Sequence, residues 1–156
     1  MEKQNRWDQI PQKAVAYFLA GYNCAQSVYA AFAPVVGVEE NDALKLASPF
    51  GGGFGRMREV CGAFSGMTLV LGHLFGYDSP DAPEKDALYP RMQELGKRWK
   101  EKYGTLVCRE LLEFKVSEGG KAAPRTPDYY ASRPCARFVE CGAQILLEYL
   151  REENLL

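Results

Sequence analysis

Apolar residues recur along the chain at the three- and four-residue intervals of α-helices, and no segment shows a convincing two-residue period of a strand. One apolar stripe follows Asn23, a preferred N-cap residue, and consists of Cys24, Val28, Ala31 and Val35. Glycines stand at the ends of several stripes, as is usual just past a helix end. The pattern predicts an all-α protein.

Six to seven helices are predicted, and we expect them to form one compact bundle, a single all-helical domain over residues 1–156. Their expected starts are Asp8, Asn23, Glu39, Arg56, Pro90, Thr105 and Pro134. The expected ends of the first five are Gly21, Gly37, Ala47, Phe75 and Gly104. Residues 115–131 are expected to form a loop or a lid.

Composition and charge exclude some classes of function. The 156 residues are 47% hydrophobic and 25% charged, and 19 basic against 20 acidic residues leave a net charge of -1. Such a balance gives no long-range attraction to nucleic acid or to an anionic membrane. The most apolar stretch, 60–75, is shorter than the roughly 20 residues of a membrane span. Since the N-terminus is polar and lacks a leader pattern, we expect a cytoplasmic protein.

The stretch "SPFGGGFGRMREVCGAFSG", residues 48–66, is rich in glycine but matches no nucleotide-binding motif, because it lacks the P-loop lysine and the third glycine of a dinucleotide fingerprint. One interpretation is structural: Gly51 to Gly53 make a tight turn, and Gly62 and Gly66 let another helix pack closely. The other is a cofactor-binding surface whose backbone amides and arginine favour negative charge, formed by Gly51, Gly52, Gly53, Arg56 and Gly62.

The chain has five cysteines, and no two form a CxxC motif or a CxxCH haem attachment site. Three of them, Cys24, Cys108 and Cys135, fall in the first turn of a predicted helix, where free amides stabilise a thiolate. We therefore expect lowered pKa values for Cys24 and Cys108, provided that their sites are not so apolar that desolvation reverses the effect. Cys141 lies about 120° from Cys135 around the last helix and is expected to point away from the core.

Other polar candidates are weaker. His73 is the sole histidine and is interpreted as a core or edge residue rather than a catalytic base. Arg58 and Glu59 have two interpretations, a polar edge to the site and surface residues, and the second is favoured.

Four segments carry a resemblance to a known family: "YNCAQSVYAAF", "LASPFGGGFGRMREVCGAFSGMTLVLG", "LVCRELL" and "CARFVECGAQILLEYL". In this order they resemble the C_GCAxxG_C_C family of redox-active proteins, from about Asn23 to the last helix. The resemblance places the family's cysteines at Cys24, Cys61, Cys108 and Cys135, and Cys141 at no family position. The chain is also similar to part of certain multihaem cytochromes that carry an iron-sulfur centre, although it lacks their haem motifs.

The resemblance implies a redox-active protein whose four cysteines come together from separate helices. They either perform thiol/disulfide chemistry or electron transfer, or bind an iron-sulfur cluster or a structural zinc ion without turnover. An oxidoreductase and an electron carrier both stay open here. The implied partner is a redox protein, a small thiol or another electron carrier. Glycines beside the cysteines suit a site in which backbone approaches sulfur closely.

Overall fold

A computed structural model describes residues 6–113 and 116–156, and within them the protein is all-α. The longer helices are α1 (Ile10–Leu19), α2 (Cys24–Ala31), α4 (Glu40–Ala47), α5 (Gly62–Phe75), α6 (Glu84–Tyr103) and α9 (Cys135–Glu152). The shorter ones are α3 (Ala33–Val36), α7 (Cys108–Leu111) and α8 (Pro127–Ser132). A 3₁₀ turn (Ser48–Phe50) and a helical turn (Gly51–Phe54) lie between α4 and α5.

The centre of the fold is α2, which packs against α1, α4, α5 and α9. Its contact with α5 is close because two glycines face it: a Cβ at Gly66 would lie 2.9 Å from both the Ala25 carbonyl oxygen and the Val28 Cβ. A Cβ at Gly62 would lie 3.0 Å from the Ala25 nitrogen. Real Cβ atoms rarely approach backbone that closely, so glycine at these two positions sets the distance between α2 and α5. The predicted packing role of Gly62 and Gly66 is confirmed.

The other side of the core is covered by α9, which contacts α1, α2, α5 and α6. Trp99 of α6 is fully buried, and its ring packs against Phe64 and Phe138 at centroid distances of 6.2 and 6.0 Å. Gly142 of α9 leaves room for that indole, since its Cβ would lie 3.3 Å from the Trp99 ring. These contacts hold the start of α9 beside the starts of α2 and α5.

Two predicted helix starts are wrong. The helix expected from Arg56 begins at Gly62, because Arg56 and Arg58 adopt left-handed backbone angles, with φ of 66° and 58°. The helix expected from Pro90 begins at Glu84 and contains the proline in its interior. Glu84 and Asp86 in its first turn complement the positive helix end, a signal that the proline obscured.

Smaller differences concern breaks and caps. The helix predicted from Asn23 to Gly37 is divided at Phe32 into α2 and α3. The N-cap of α7 is Val107 and not Thr105. The Thr105 hydroxyl instead accepts a hydrogen bond from the Val107 N–H at 3.1 Å. Part of the loop predicted over residues 115–131 is helical, as α8, and residue 115 lies outside the described residues.

The predicted orientation of Cys141 is wrong. Cys141 is only 8% exposed, because α9 is covered on more than one side. The Tyr103 hydroxyl donates a hydrogen bond to the Cys141 sulfur. Leu19 of α1 is 57% exposed. None of the helices in the described part of the chain is long and apolar enough to span a bilayer.

Candidate functional site

Cys24 is placed by a complete capping box at the start of α2. The Asn23 side chain accepts a hydrogen bond from the Gln26 N–H at 2.9 Å, and the Gln26 side chain accepts one from the Asn23 N–H at 3.0 Å. The Asn23 amide also donates to the Ser48 carbonyl at 3.0 Å, which ties this helix start to the glycine-rich turn. Cys24 is therefore the first residue of a firmly fixed helix.

An isolated antiparallel bridge between Val60 and Val107 joins the segment that carries Cys61 to the segment that carries Cys108. The Cys61 N–H donates to the Leu106 carbonyl at 2.8 Å, and the Cys108 N–H donates to the Glu59 carbonyl. Cys61 is then the N-cap of α5, and Cys108 is the first residue of α7. The bridge thus joins two helix starts that are far apart in sequence.

Gly53 lets Cys108 approach the glycine-rich turn. It has a left-handed φ of 71°, and a Cβ there would lie 2.6 Å from the Glu59 nitrogen and 2.8 Å from the Cys108 Cβ. Both the backbone angle and the space require glycine. Gly62 likewise lets Cys24 approach the start of α5, since a Cβ at Gly62 would lie 3.2 Å from the Cys24 Cβ.

Cys135 is the first residue of α9 and directly follows Pro134. It lines a pocket together with Cys24, Cys61 and Cys108, so four helix starts carry their cysteines to one place. The five cysteines of the chain are all free thiols. We call this pocket the thiol pocket; its volume is about 50 Å³, which is room for a few water molecules.

The most direct contact in the thiol pocket joins Cys24 and Cys135. The Cys24 thiol donates a hydrogen bond to the Cys135 sulfur, which lowers the pKa of Cys135 below its ordinary value. Positive charge from Arg133, Arg125 and Arg58 lowers it further, against the effect of burial. The pKa of Cys24 is raised well above its ordinary value by the same hydrogen bond and by burial. The pair therefore favours one thiolate, at Cys135, and one thiol, at Cys24.

The other two thiols stay protonated. Burial raises the pKa of Cys61 to about 12, although the backbone N–H groups of Ala63 and Phe64 act in the opposite direction. Burial also raises the pKa of Cys108, against a hydrogen bond from Arg58, whose Nη1 lies 3.9 Å from the Cys108 sulfur. The lowered pKa values expected for Cys24 and Cys108 are therefore wrong, because desolvation and the Cys24–Cys135 contact outweigh the helix dipole.

Most of the chain, residues 22–149, matches the family model described as "Putative redox-active protein (C_GCAxxG_C_C)". The chain belongs to the C_GCAxxG_C_C family. The resemblance inferred from its sequence is thereby confirmed. Searches of curated proteins and of solved structures gave no significant match.

The glycine-rich segment of this C_GCAxxG_C_C protein is divided between two pockets. Gly52, Gly53 and Gly62 line the thiol pocket. Gly51 and Arg56 line a neighbouring pocket instead, and Gly51 packs against Asn23, with no room for a Cβ. Arg56 is not at a helix start as expected; its guanidinium donates to the Lys121 carbonyl at 2.6 Å. Gly52 and Gly53 are two consecutive left-handed residues within the turn.

Sequence reasoning missed three arginines of the site. Arg58, interpreted as a surface residue, is 3% exposed, and its Nε donates to the Ser117 carbonyl at 3.0 Å. Arg125 precedes α8 and Arg133 follows it. Their guanidinium groups lie over the Tyr129 ring, at 4.5 and 4.6 Å from its centroid. The segment "PRTPDYYASRPC" did contain the signal, because it places two arginines and two tyrosines directly before Cys135.

His73 is remote from the thiols. It lies twelve residues after Cys61 along α5, about 18 Å at the helical rise. Its ring stacks on Tyr29 at a centroid distance of 5.6 Å, and its Nε2 shares a hydrogen bond with the Tyr29 hydroxyl. It occupies an edge position, as predicted.

Proposed function

We propose that the protein is a thiol–disulfide redox protein in which Cys24 and Cys135 are the reacting pair. The observation that carries the proposal is that both thiols line one pocket beside Arg58, Arg125 and Arg133, and the lowered pKa of Cys135 and the raised pKa of Cys24 agree with it. A thiolate is the nucleophile of disulfide exchange, and a neighbouring thiol completes it. The redox description of the C_GCAxxG_C_C family supports this class of chemistry.

The proposed reaction is a two-step exchange. The Cys135 thiolate attacks one sulfur of a substrate disulfide, a mixed disulfide forms, and the other substrate sulfur leaves as a thiolate. Cys24 then loses its proton and attacks the Cys135 sulfur, which releases the second substrate thiolate. The substrate disulfide gains two electrons, and the two protein thiols become a disulfide. The reverse sequence oxidises a substrate dithiol.

Cys61 and Cys108 are assigned to the same site as a second, slower pair. Both are buried and protonated, the bridge between Val60 and Val107 joins the segments that carry them, and both line the thiol pocket. In this proposal they react after the first pair, because a protonated thiol is a poor nucleophile.

A metal centre is the alternative, and the donor set was tested against it. Four cysteines are the usual ligands of iron-sulfur clusters and of closed zinc sites. Within residues 6–113 and 116–156, however, no three His, Cys, Asp or Glu side chains converge closely enough to hold a metal ion. As arranged here, the cysteines fit neither a zinc ion nor a cluster.

We further propose a cytoplasmic setting and a redox partner protein or a small thiol as the electron carrier. Reactive disulfides in a reducing compartment are usually catalytic or sensing rather than structural.

Oxidation followed by disulfide mapping tests the proposal. Trypsin separates the five cysteines into different peptides, 14–45, 59–85, 103–109, 126–137 and 138–151. Protein purified without oxygen and treated with one equivalent of diamide should first yield a disulfide between peptides 14–45 and 126–137. A different first disulfide, or free peptides after oxidation, would contradict the proposal.

Metal analysis and a visible spectrum of the same anaerobic sample complete the test. The proposal expects a colourless protein without stoichiometric metal. Brown protein with iron would replace it with the cluster, and colourless protein with one zinc ion would replace it with the structural site.

A further inference from the structure

A second pocket adjoins the thiol pocket. Its volume is about 230 Å³, and we call it the arginine pocket. The two share six lining residues, which are Asn23, Gly52, Arg58, Arg125, Tyr129 and Arg133. Gly51, Gly55, Gly120 and two alanines line much of the rest, so small residues leave its space open. A molecule in the arginine pocket would lie next to the reacting sulfurs.

The arginine pocket is strongly cationic. Four arginines line it, Arg56, Arg58, Arg125 and Arg133, and no Asp or Glu lines either pocket. Over residues 6–113 and 116–156, none of the four makes a salt bridge, whereas Arg91, Arg98, Arg109 and Arg151 each pair with a carboxylate. The positive charge of this pocket therefore has no protein counterion among the described residues.

Part of this charge is buried, and two of its nitrogen donors have no acceptor. Arg58 is almost fully buried, and the Nη1 of Arg125 and the Nε of Arg56 are buried with no acceptor. Unpaired buried charge and unsatisfied donors are costly in a folded protein. An anion in the pocket would supply both the counterion and the acceptors, and guanidinium groups bind carboxylates and similar planar anions in two-pronged fashion.

We propose that the arginine pocket binds the anionic group of a small disulfide or thiol and presents its sulfur to Cys135. The inference rests on the proposed function and specifies its substrate class. A cavity of 150 Å³ holds a six-atom ring, so about 230 Å³ holds roughly nine non-hydrogen atoms. A small dicarboxylate disulfide has about this size. A protein segment that carries a disulfide is larger.

The reaction in this pocket is the exchange described above with a defined leaving group. The carboxylate lies against the arginines, Cys135 attacks the nearer sulfur, and the farther sulfur leaves as a thiolate. Cys24 then attacks Cys135, and the half-molecule held by the arginines leaves as the second thiolate. The protein dithiol supplies the two electrons of a single turnover, and a dithiol reductant restores it afterwards.

Three disulfides of similar size and different charge test the inference. Fully reduced protein is mixed with excess dithiodiacetate (anionic), bis(2-hydroxyethyl) disulfide (neutral) or cystamine (cationic), and formation of the protein disulfide is followed. Each rate is divided by the rate of the same disulfide with free 2-mercaptoethanol, which corrects for intrinsic reactivity. The anionic probe should react at least about tenfold faster than the neutral one, the size of one charge-assisted contact. Equal corrected rates, or a faster cationic probe, would overturn the inference.

Arginine variants give a second readout. Arg125→Gln and Arg133→Gln should each lower the corrected rate for dithiodiacetate about tenfold more than the rate for the neutral disulfide, because the neutral probe loses no ion pair and its rate reports only the raised pKa of Cys135. Lys97→Gln removes the same charge from an exposed position on α6, outside both pockets, and should leave all three rates unchanged. An equal loss for charged and neutral probes in the arginine variants would contradict selective anion binding.

A probe that cannot react separates this inference from the proposed function. Adipate has the carbon chain of dithiodiacetate with methylene groups in place of the sulfurs, and 1,6-hexanediol is its neutral counterpart. Wild-type protein should bind adipate and not hexanediol in calorimetry, and Arg125→Gln should weaken adipate binding. Adipate binding without any disulfide exchange would remove the proposed function and leave the anion pocket. Exchange with all three disulfides at equal rates and no adipate binding would remove the anion pocket and leave the proposed function.

Discussion

Cys24 and Cys135 are 111 positions apart in sequence, and both line the thiol pocket at the starts of α2 and α9. Hydrogen bonding from Cys24 lowers the pKa of Cys135 and raises that of Cys24, which sets the order of attack in the proposed exchange. The contact exists only because Gly62 lets α2 lie close to α5, and α9 packs across both helices.

Cys135 should be alkylated by iodoacetamide in preference to the other cysteines, with a pH midpoint below the ordinary thiol value of about 8.5. Removing the hydrogen bond with Cys24→Ala should move that midpoint upward. Cys24→Ser keeps a hydroxyl donor and should move it less. Peptide mass spectrometry identifies the alkylated residue at each pH. A midpoint that is the same in wild type and Cys24→Ala would show that the bond does not control Cys135.

Cys61 should make the protein less stable at alkaline pH. Its pKa is about 12 in the folded protein, whereas an unfolded thiol titrates near 8.5, so both states are protonated below that value. Above it only the unfolded state ionises, and the free energy of unfolding falls by up to about 1.4 kcal/mol per pH unit. Cys61→Ser does not titrate, so urea unfolding between pH 9 and 10.5 should show a shallower decline. Parallel curves for the two proteins would mean that Cys61 is not held protonated by burial.

Two glycines of α5 form a matched pair for stability. Gly66→Ala should destabilise the protein by about 1–3 kcal/mol, because the new methyl group would overlap the backbone and Val28 of α2. At Gly72 nothing lies within 4 Å of the same methyl group, so Gly72→Ala should stabilise the helix by about 0.5–1 kcal/mol. Urea denaturation measures both changes. Equal effects would show that α2 and α5 are not in close contact in solution.

Cys141→Ala should leave the thiol chemistry intact. Cys141 lines neither the thiol pocket nor the arginine pocket, and its sulfur accepts a hydrogen bond from Tyr103 instead. Loss of a buried sulfur and that bond should cost about 1–2 kcal/mol of stability. The alkylation profile of Cys135 and the first disulfide formed should both match the wild type. Loss of that disulfide in Cys141→Ala would bring Cys141 into the reacting set.

The sequence predicts the helical class and much of the helix order, because apolar spacing and caps such as Asn23 and Gly104 are local signals. It fails at residues 56–61, where Arg56 and Arg58 adopt left-handed angles that arginine rarely takes. These angles are maintained by distant partners, including the Ser117 carbonyl and the antiparallel bridge at Val60. Such hydrogen bonds between distant segments produce no periodic pattern in the sequence. That residues 1–156 form one domain stays a prediction.

The candidate cysteines follow from their helix starts and from the family resemblance, but their individual chemistry does not. The expectation for Cys24 set the helix dipole against desolvation, whereas the neighbour at its sulfur, Cys135, is the largest cause of its raised pKa. Arg58 was assigned to the surface because arginine is rarely buried. Its burial depends on the segment around Ser117 that closes over it.

The cluster of Arg58, Arg125 and Arg133 around Cys135 also bears on the reduction potential of the proposed Cys24–Cys135 couple. Positive charge stabilises the thiolate but has no comparable effect on an uncharged disulfide, so it stabilises the reduced protein and makes the disulfide the stronger oxidant. The reduction potential rises by about 30 mV for each unit by which the pKa of Cys135 falls below that of an ordinary thiol. This relation holds at pH values above both of these pKa values. A pair of this kind would rest as the dithiol in a reducing compartment and form a disulfide only when the surroundings become more oxidising.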